Sequence, residues 1–458
     1  MIIYAAQWVL PISSPPIESG ALAVEGERII AVGARAHLTE RFPEAPIRDF
    51  ARAAILPGLI NAHSHLELSL LRNALEADEA DFFAWLRRIT ITRLERMTEE
   101  DLKLSALLGA AEAARAGVTC TGDASDVAQA SFYALREVGL RGIVYKEVFG
   151  PDVRTAREQF AKMQESIAAL REFETERVLL GLSPHAPYTV SAPLLEMVAT
   201  YARENELPMM MHAAESQAET DLMLYGRGPF AEGLARRGIE WRAPGISTIQ
   251  YLARLGVLGA RPLLAHCIRT DDADIATIAS FDARIAHCPK SNAKLGHGRA
   301  PFTRFLRHGV KVGLGSDSVA SNNTCDILEE ARFAALVSRY DGTSDGDSSG
   351  DDRTGHRVSA AQALHAATLG GARALGLDDR TGSLEAGKEA DFTVIALDHL
   401  HQLPTHDVQA AIVFSSSAND VRLTVVAGRE IFREGRLLTI DEDDLRRRLI
   451  EAANRLRS

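Results

Sequence analysis

The sequence predicts an α/β protein, a (β/α)8 barrel of the TIM type carrying a small β-sandwich built from the two ends of the chain. From Ile55 onward, short apolar runs alternate with longer stretches whose apolar residues recur at helical spacing, the rhythm of βα units on a parallel sheet. There are eight such runs, the number that closes a barrel. Both ends of the chain carry instead short alternating segments broken by Gly and Pro, the mark of a small β-module.

Taken in order, the first strands of that module are Ala21–Val24 and Arg28–Gly33. The eight barrel strands are Ile55–Ile60, Gly117–Thr121, Gly142–Val148, Val178–Leu182, Pro208–His212, Pro262–His266, Ala283–His287 and Val310–Gly315. Asp101–Ala116, Val153–Phe173, Ala192–Glu206 and Asp272–Ser280 read as helices between them, and Asp326–Ser338 follows the last strand. An open doubly wound sheet would need a Gly-x-Gly-x-x-Gly turn after its first strand, and none is there. The stretch 341–352 has no apolar residue and reads as a loop; it lacks the ordered spacing and closing Glu of an EF-hand. Helices resume over Ser359–Leu375 and then give way to short strands around Gly382–Ile395 and Val421–Ile431. The expected division is a composite sandwich of residues 1–55 plus 378–458 and a catalytic barrel of residues 56–377.

With 46% hydrophobic residues among 458, the chain can bury a large core. Its apolar runs fall short of the roughly 20 residues a membrane span needs, and the N-terminus lacks a basic segment followed by a cleavable apolar one, so a cytoplasmic protein is expected. A net charge of -11 argues against a nucleic-acid surface. Cys120, Cys267, Cys288 and Cys325 are widely spread and read as buried free thiols.

Barrels place their chemistry at the C-terminal ends of the strands. The first strand leads into His63 and His65, two residues apart and therefore on one face. The fourth ends in Ser183-Pro184-His185, the fifth in His212-Ala213-Ala214-Glu215, the sixth in His266, the seventh in His287 and the eighth in Ser316-Asp317. Five of eight strands finishing on a histidine, in a chain with 14, is a pattern of convergence. Imidazoles with a carboxylate suit a divalent metal such as zinc.

Together with Pro57-Gly58-Leu59-Ile60-Asn61-Ala62, Ala186-Pro187-Tyr188, Cys288-Pro289-Lys290-Ser291-Asn292 and the Gly382–Asp391 segment, these motifs resemble the amidohydrolase superfamily over nearly the whole chain. Within it they resemble the chlorohydrolase and deaminase branch. The resemblance implies one divalent ion, zinc with ferrous iron as the alternative, held by His63, His65, His212 and Asp317. It implies Glu215 as proton shuttle, His266 as contact to the attacking water and His185 as a substrate contact. Binuclear members use a lysine on strand four; here Lys146 lies on strand three, so a single ion is expected.

The implied reaction is hydrolytic deamination of an amino-substituted heterocycle to the oxo product and ammonia. The expected substrate is a 6-aminopurine nucleoside derivative: aminodeoxyfutalosine first, then S-adenosylhomocysteine, methylthioadenosine or adenosine. The position that grips the ribose hydroxyls in the adenine-nucleoside enzymes falls on Leu94, a departure from their pattern. Glu67 and Lys146 are further candidate substrate contacts, and Glu147 beside Lys146 is weighed with Glu67. A guanine, cytosine or other nucleobase deaminase and a triazine chlorohydrolase are the alternatives, with a non-catalytic interaction protein as the remote one. The expected partner is the small heterocycle, within a homo-oligomer.

Overall fold

The computed structural model describes residues 1–76, 81–340 and 357–457, so the acidic stretch at 341–352 lies outside the described residues. Five strands open the chain: β1 (Ile2–Val9), β2 (Ile17–Glu25), β3 (Arg28–Ala34), β4 (Ile47–Asp49) and β5 (Ala53–Pro57). Eight follow in the middle: β6 (Leu59–Ser64), β7 (Val118–Ser125), β8 (Arg141–Val148), β9 (Val178–Pro184), β10 (Met210–Ala213), β11 (Leu263–His266), β12 (Arg284–His287) and β13 (Val312–Leu314). The chain closes with β14 (Phe392–Ala396), β15 (Val421–Val426), β16 (Arg429–Arg433) and β17 (Arg436–Leu437).

The middle eight form two parallel ladders, β6 to β9 and β10 to β13. Parallel bridges Leu182 to Met209 and Ser64 to Asp317 join the ladders at both seams, which closes the barrel. Parallel strands covered by helices are buried on both faces, and every residue of β7 is buried accordingly.

The run Ile55–Ile60, expected as one strand, is two. β5 pairs with β1 and β14 in the terminal sheet, whereas β6 pairs with β7 in the barrel. The chain changes sheets at Gly58, whose N–H donates to Asp391 O at 3.1 Å. A side chain there would collide with Thr119, since a Cβ would lie 2.0 Å from its Oγ1. The helical stretch expected over Ser359–Leu375 holds two helices, Ala360–Ala366 and Leu369–Leu375. Between them Thr368 leaves helical geometry, and Gly371 brings the second helix so close to β6 that a Cβ would lie 2.8 Å from that of Ile60.

The terminal strands form one sheet, β17-β16-β15-β14-β5-β1-β2-β3, with β4 on β1. It curls around an apolar cluster that includes Tyr4, Leu22, Ile55, Phe392 and Leu423. The curl brings its far parts together: Ala390 N donates to Glu27 O at 2.8 Å and Gly428 N to Ala390 O at 3.0 Å. A buried ion cluster ties this sheet to the barrel. Arg141, the first residue of β8, donates through Nε to Asp391 at 2.8 Å and through Nη2 to Glu389, which also accepts from Arg380 Nε at 2.7 Å.

Two long helices lie between β6 and β7. Phe82–Arg96, capped by the Asp81 carboxylate, covers the C-terminal mouth of the barrel. Glu99–Arg115 starts at a capping box of Thr98 and Asp101, and the terminal helix Glu442–Arg457 packs on it, with Arg455 donating to Asp101 at 2.5 Å.

Candidate active site

His63 is wholly buried at the end of β6, and His65 lies one residue beyond the strand. Their Nε2 atoms lie 3.4 and 3.5 Å from Asp317 Oδ1, and His65 Nε2 is 3.2 Å from His212 Nε2. Ligand atoms of His63, His212, His266 and Asp317 all fall within 4.8 Å of one another. Four strands of the closed barrel thus aim their terminal side chains at one point.

Each side chain is held from behind. His212 Nδ1 lies 3.0 Å from His185 O, a carbonyl to which it donates, so its Nε2 presents the lone pair. His266 Nδ1 pairs with Asn292 Oδ1 at 2.9 Å, leaving its Nε2 toward the site. Ser291 and Ser321 hydroxyls donate to Asp317 Oδ2 at 2.6 and 2.9 Å, so only Oδ1 faces the histidines. Ala214, His266 and Asp317 all take the left-handed backbone conformation, with φ of 52°, 73° and 58°. Strain of that kind persists where surrounding structure enforces it, and here it turns side chains inward at the strand ends.

Burial governs the charge states. It pushes the His65 imidazole down to about 3 and holds those of His63 and His212 below their ordinary range as well. His266 goes the other way, because the carboxylates of Glu215 and Asp317 outweigh its burial. Burial raises the Glu215 carboxyl to about 7.

A divalent cation fits this group. The imidazoles of His63, His65 and His212 are neutral with convergent lone pairs, one carboxylate oxygen faces them, and His63 Nε2 is buried without a hydrogen-bond partner. At His399, His401 and Asp420, by contrast, Asp420 already accepts from both half-exposed imidazoles, at 2.7 and 3.1 Å.

Glu215 follows β10 with its Oε1 3.7 Å from His266 Nε2 and 3.6 Å from His297 Nε2. Its turn is pinned by Glu219, whose carboxylate accepts from the backbone N–H of Ala214 and Glu215 at 2.8 and 2.9 Å. His185, at the end of β9, pairs through Nδ1 with Thr189 Oγ1 at 2.9 Å; burial takes its imidazole down to about 4.

These groups floor a cavity of about 530 Å³, the size of a small-molecule site. Phe82, Trp85, Leu86 and Ile89 line it together with Tyr188, which stacks on Phe230 at 4.0 Å. A larger cavity, about 890 Å³, lies between Glu99–Arg115 and the terminal helix and holds none of the strand-end residues.

The remaining candidates divide. Glu67 reaches the cavity but accepts from Ser125 Oγ, Asp126 N and Val127 N, with Arg93 Nη1 at 3.3 Å. Lys146 donates to the Asp126 carbonyl and carboxylate at 2.7 and 2.9 Å, behind the cavity wall. His287 stands apart, packed on Phe302 at 5.0 Å. Sequence reasoning missed His297, Asn292 as the partner of His266, and Glu219. A polar side chain one helical turn beyond Glu215 was a signal for Glu219; His297, between two glycines on a loop, offered none.

A closed (β/α)8 barrel with histidines and an aspartate gathered at its strand ends defines the metal-dependent hydrolase class. Residues 54–431 match the sequence model of the Amidohydrolase family, and the chain belongs to that family. Residues 20–45 also match a model described as the imidazolonepropionase-like composite domain of bacteria. The chain is 31% identical over 442 residues to the 5-methylthioadenosine/S-adenosylhomocysteine deaminase of Moorella thermoacetica, covering 95% of each chain. It superposes on an adenosine deaminase from Xanthomonas campestris, a structure with bound zinc, with a TM-score of 0.86 at 30% identity, covering 100% of this chain and 98% of that one. The atrazine chlorohydrolase TrzN of Arthrobacter aurescens shares the fold, with a TM-score of 0.85 at 21% identity over 99% of this chain and all of that one.

Proposed function

We propose that the chain is a zinc-dependent hydrolytic deaminase of adenine nucleoside derivatives, replacing the ring amino group by an oxo group and releasing ammonia. The observation that carries this reading is the buried Glu215 carboxyl, its proton affinity near neutrality, beside the His/Asp group. His63, His65, His212 and Asp317 hold the ion. When bound, such an ion lowers the pKa of water toward neutrality and supplies a nucleophile at physiological pH.

The chain's own residues do the rest. Asp317 and His266 take and steer the proton of the attacking water. Glu215 gives a proton to the ring nitrogen next to the attacked carbon, which makes that carbon electrophilic, and later delivers one to the departing amine. A C–O bond forms, the exocyclic C–N bond breaks, and ammonia leaves. His185 contacts the heterocycle, while Phe82, Trp85 and Leu86 cover its apolar faces and exclude water. Glu67 supports the wall through Arg93, and Lys146 acts through Asp126.

The relatives and the apolar mouth favour methylthioadenosine, S-adenosylhomocysteine and adenosine ahead of aminodeoxyfutalosine. We place the enzyme in the cytoplasm, a reading supported by four buried free thiols. Among the described residues no helix is long and apolar enough to cross a membrane.

Ammonia release from these four nucleosides, guanine, cytosine and a chlorotriazine tests the activity. Glu215→Gln is expected to keep a full equivalent of metal and to lose turnover by about 10²-fold or more. A Gln variant as active as the wild type would remove Glu215 from the mechanism.

A further inference from the structure

We propose that Glu147 holds the sugar of the substrate, its carboxyl oxygens accepting hydrogen bonds from the vicinal hydroxyls of the ribose. This rests on the nucleoside deaminase reading and adds to it the determinant of sugar recognition.

Glu147 is the next-to-last residue of β8, 7% exposed, and lines the cavity. Among the described residues nothing hydrogen-bonds to its carboxyl group, and Oε1 is fully buried without a partner. That isolation stands out because the neighbouring carboxylates are well supplied. Arg93 spans Glu67 and Asp126, at 3.3 and 2.7 Å, and Lys146 is engaged with Asp126 at 2.9 Å. Both local cations are thereby committed elsewhere. An orphaned carboxyl in a folded interior is costly, and the group that satisfies it is one that enters the cavity.

Its position says which part of the substrate that is. A Glu147 oxygen lies within 4.8 Å of ligand atoms of His185 and His212. In barrel order β8 and β9 stand on one side of His212, whereas His266 ends β11 on the other, with Glu215 Oε1 3.7 Å from its Nε2. A purine whose reacting carbon sits between Glu215 and the His/Asp group therefore directs its substituent past His185 toward Glu147. The chemistry agrees. The ring nitrogens of a 9-substituted adenine are acceptors, and its one N–H donor group is the exocyclic amine, which stays at the reacting carbon. The donors left to an acceptor on the β8 side are the sugar hydroxyls. At least one oxygen of a carboxyl group accepts in either protonation state, and a vicinal diol matches two.

The test compares metal-replete wild type, Glu147→Gln and Glu147→Ala on adenosine and 2′,3′-dideoxyadenosine. The wild type is expected to favour adenosine in kcat/KM by roughly 10- to 100-fold. In Glu147→Ala that preference is expected to collapse, mostly through KM, with dideoxyadenosine little changed and Glu147→Gln between the two. A variant that keeps the wild-type preference overturns the assignment. Equilibrium binding of inosine and 2′,3′-dideoxyinosine to the wild type needs neither variant folding nor turnover: tighter inosine binding is expected, and equal affinity overturns the proposal. Ammonia release with an unchanged sugar preference sinks the Glu147 assignment alone. No ammonia release, with a sugar preference in binding that the variants lose, sinks the deaminase reading alone.

Discussion

Asp317, a proposed metal ligand, shows how much the placing of one carboxylate owes to its support. Ser291 and Ser321 occupy Oδ2 and the left-handed backbone turns Oδ1 toward His63 and His65. Removing both hydroxyls frees the carboxylate to rotate without touching any proposed ligand. Ser291→Ala with Ser321→Ala is accordingly expected to weaken zinc binding by about 10- to 100-fold, read by competition with a chromophoric chelator, while the far-ultraviolet spectrum stays unchanged. Wild-type zinc affinity in the double variant would show that the serines do not orient Asp317. At this scale the sequence was legible where chemistry recurs at strand ends, as with His63, His65, His212, His266 and Asp317. It was less so for supporting groups: Asn292, Glu219 and His297 gain meaning only from what lies across the barrel.

Strands were read more surely than helices. A buried parallel strand is a compact apolar run, so seven of the eight barrel strands could be placed to within a few residues. Phe82–Arg96 was not read as a helix, because its inner face is built largely of cavity-lining side chains rather than a fully buried stripe. The error at Ile55–Ile60 has a different origin. The run is continuously apolar because both of its halves are buried, and nothing in hydropathy marks the change of sheet at Gly58. A methyl group there would meet the Thr119 Oγ1 and Cγ2 at 2.0 and 2.1 Å, so Gly58→Ala is expected to destabilise by about 1–3 kcal/mol in urea unfolding. Thr119→Gly removes these atoms together with the Thr119 Cβ, which would lie 2.5 Å away, and should restore more of the loss than Thr119→Ala, which keeps that Cβ; a Gly58→Ala variant of wild-type stability would show that the junction has slack.

For the whole molecule we propose two units, residues 1–55 with 378–458 and residues 56–377, a division supported by the terminal sheet drawing strands from both ends, although β5 runs on to Pro57. The clamp between them is Arg141, 1% exposed, with Glu389 and Asp391. Removing one partner of a buried cluster leaves the others uncompensated, so Arg141→Met is expected to cost about 3–5 kcal/mol at neutral pH. The pH dependence separates this from lost packing. Burial alone would raise the Glu389 carboxyl, but Arg141 and Arg380 bring it below its ordinary value of 4.5. A carboxyl depressed in the folded state contributes stability that is present above the unfolded value and is lost as pH falls through the folded one. The gap in urea midpoint between wild type and Arg141→Met should therefore be widest near neutrality and narrow below pH 4.5, as Glu389 takes up its proton and no longer needs the guanidinium. A gap that stays constant from pH 7 to well below pH 4.5 would mean that Arg141 joins the two units by shape and hydrogen bonding rather than by charge.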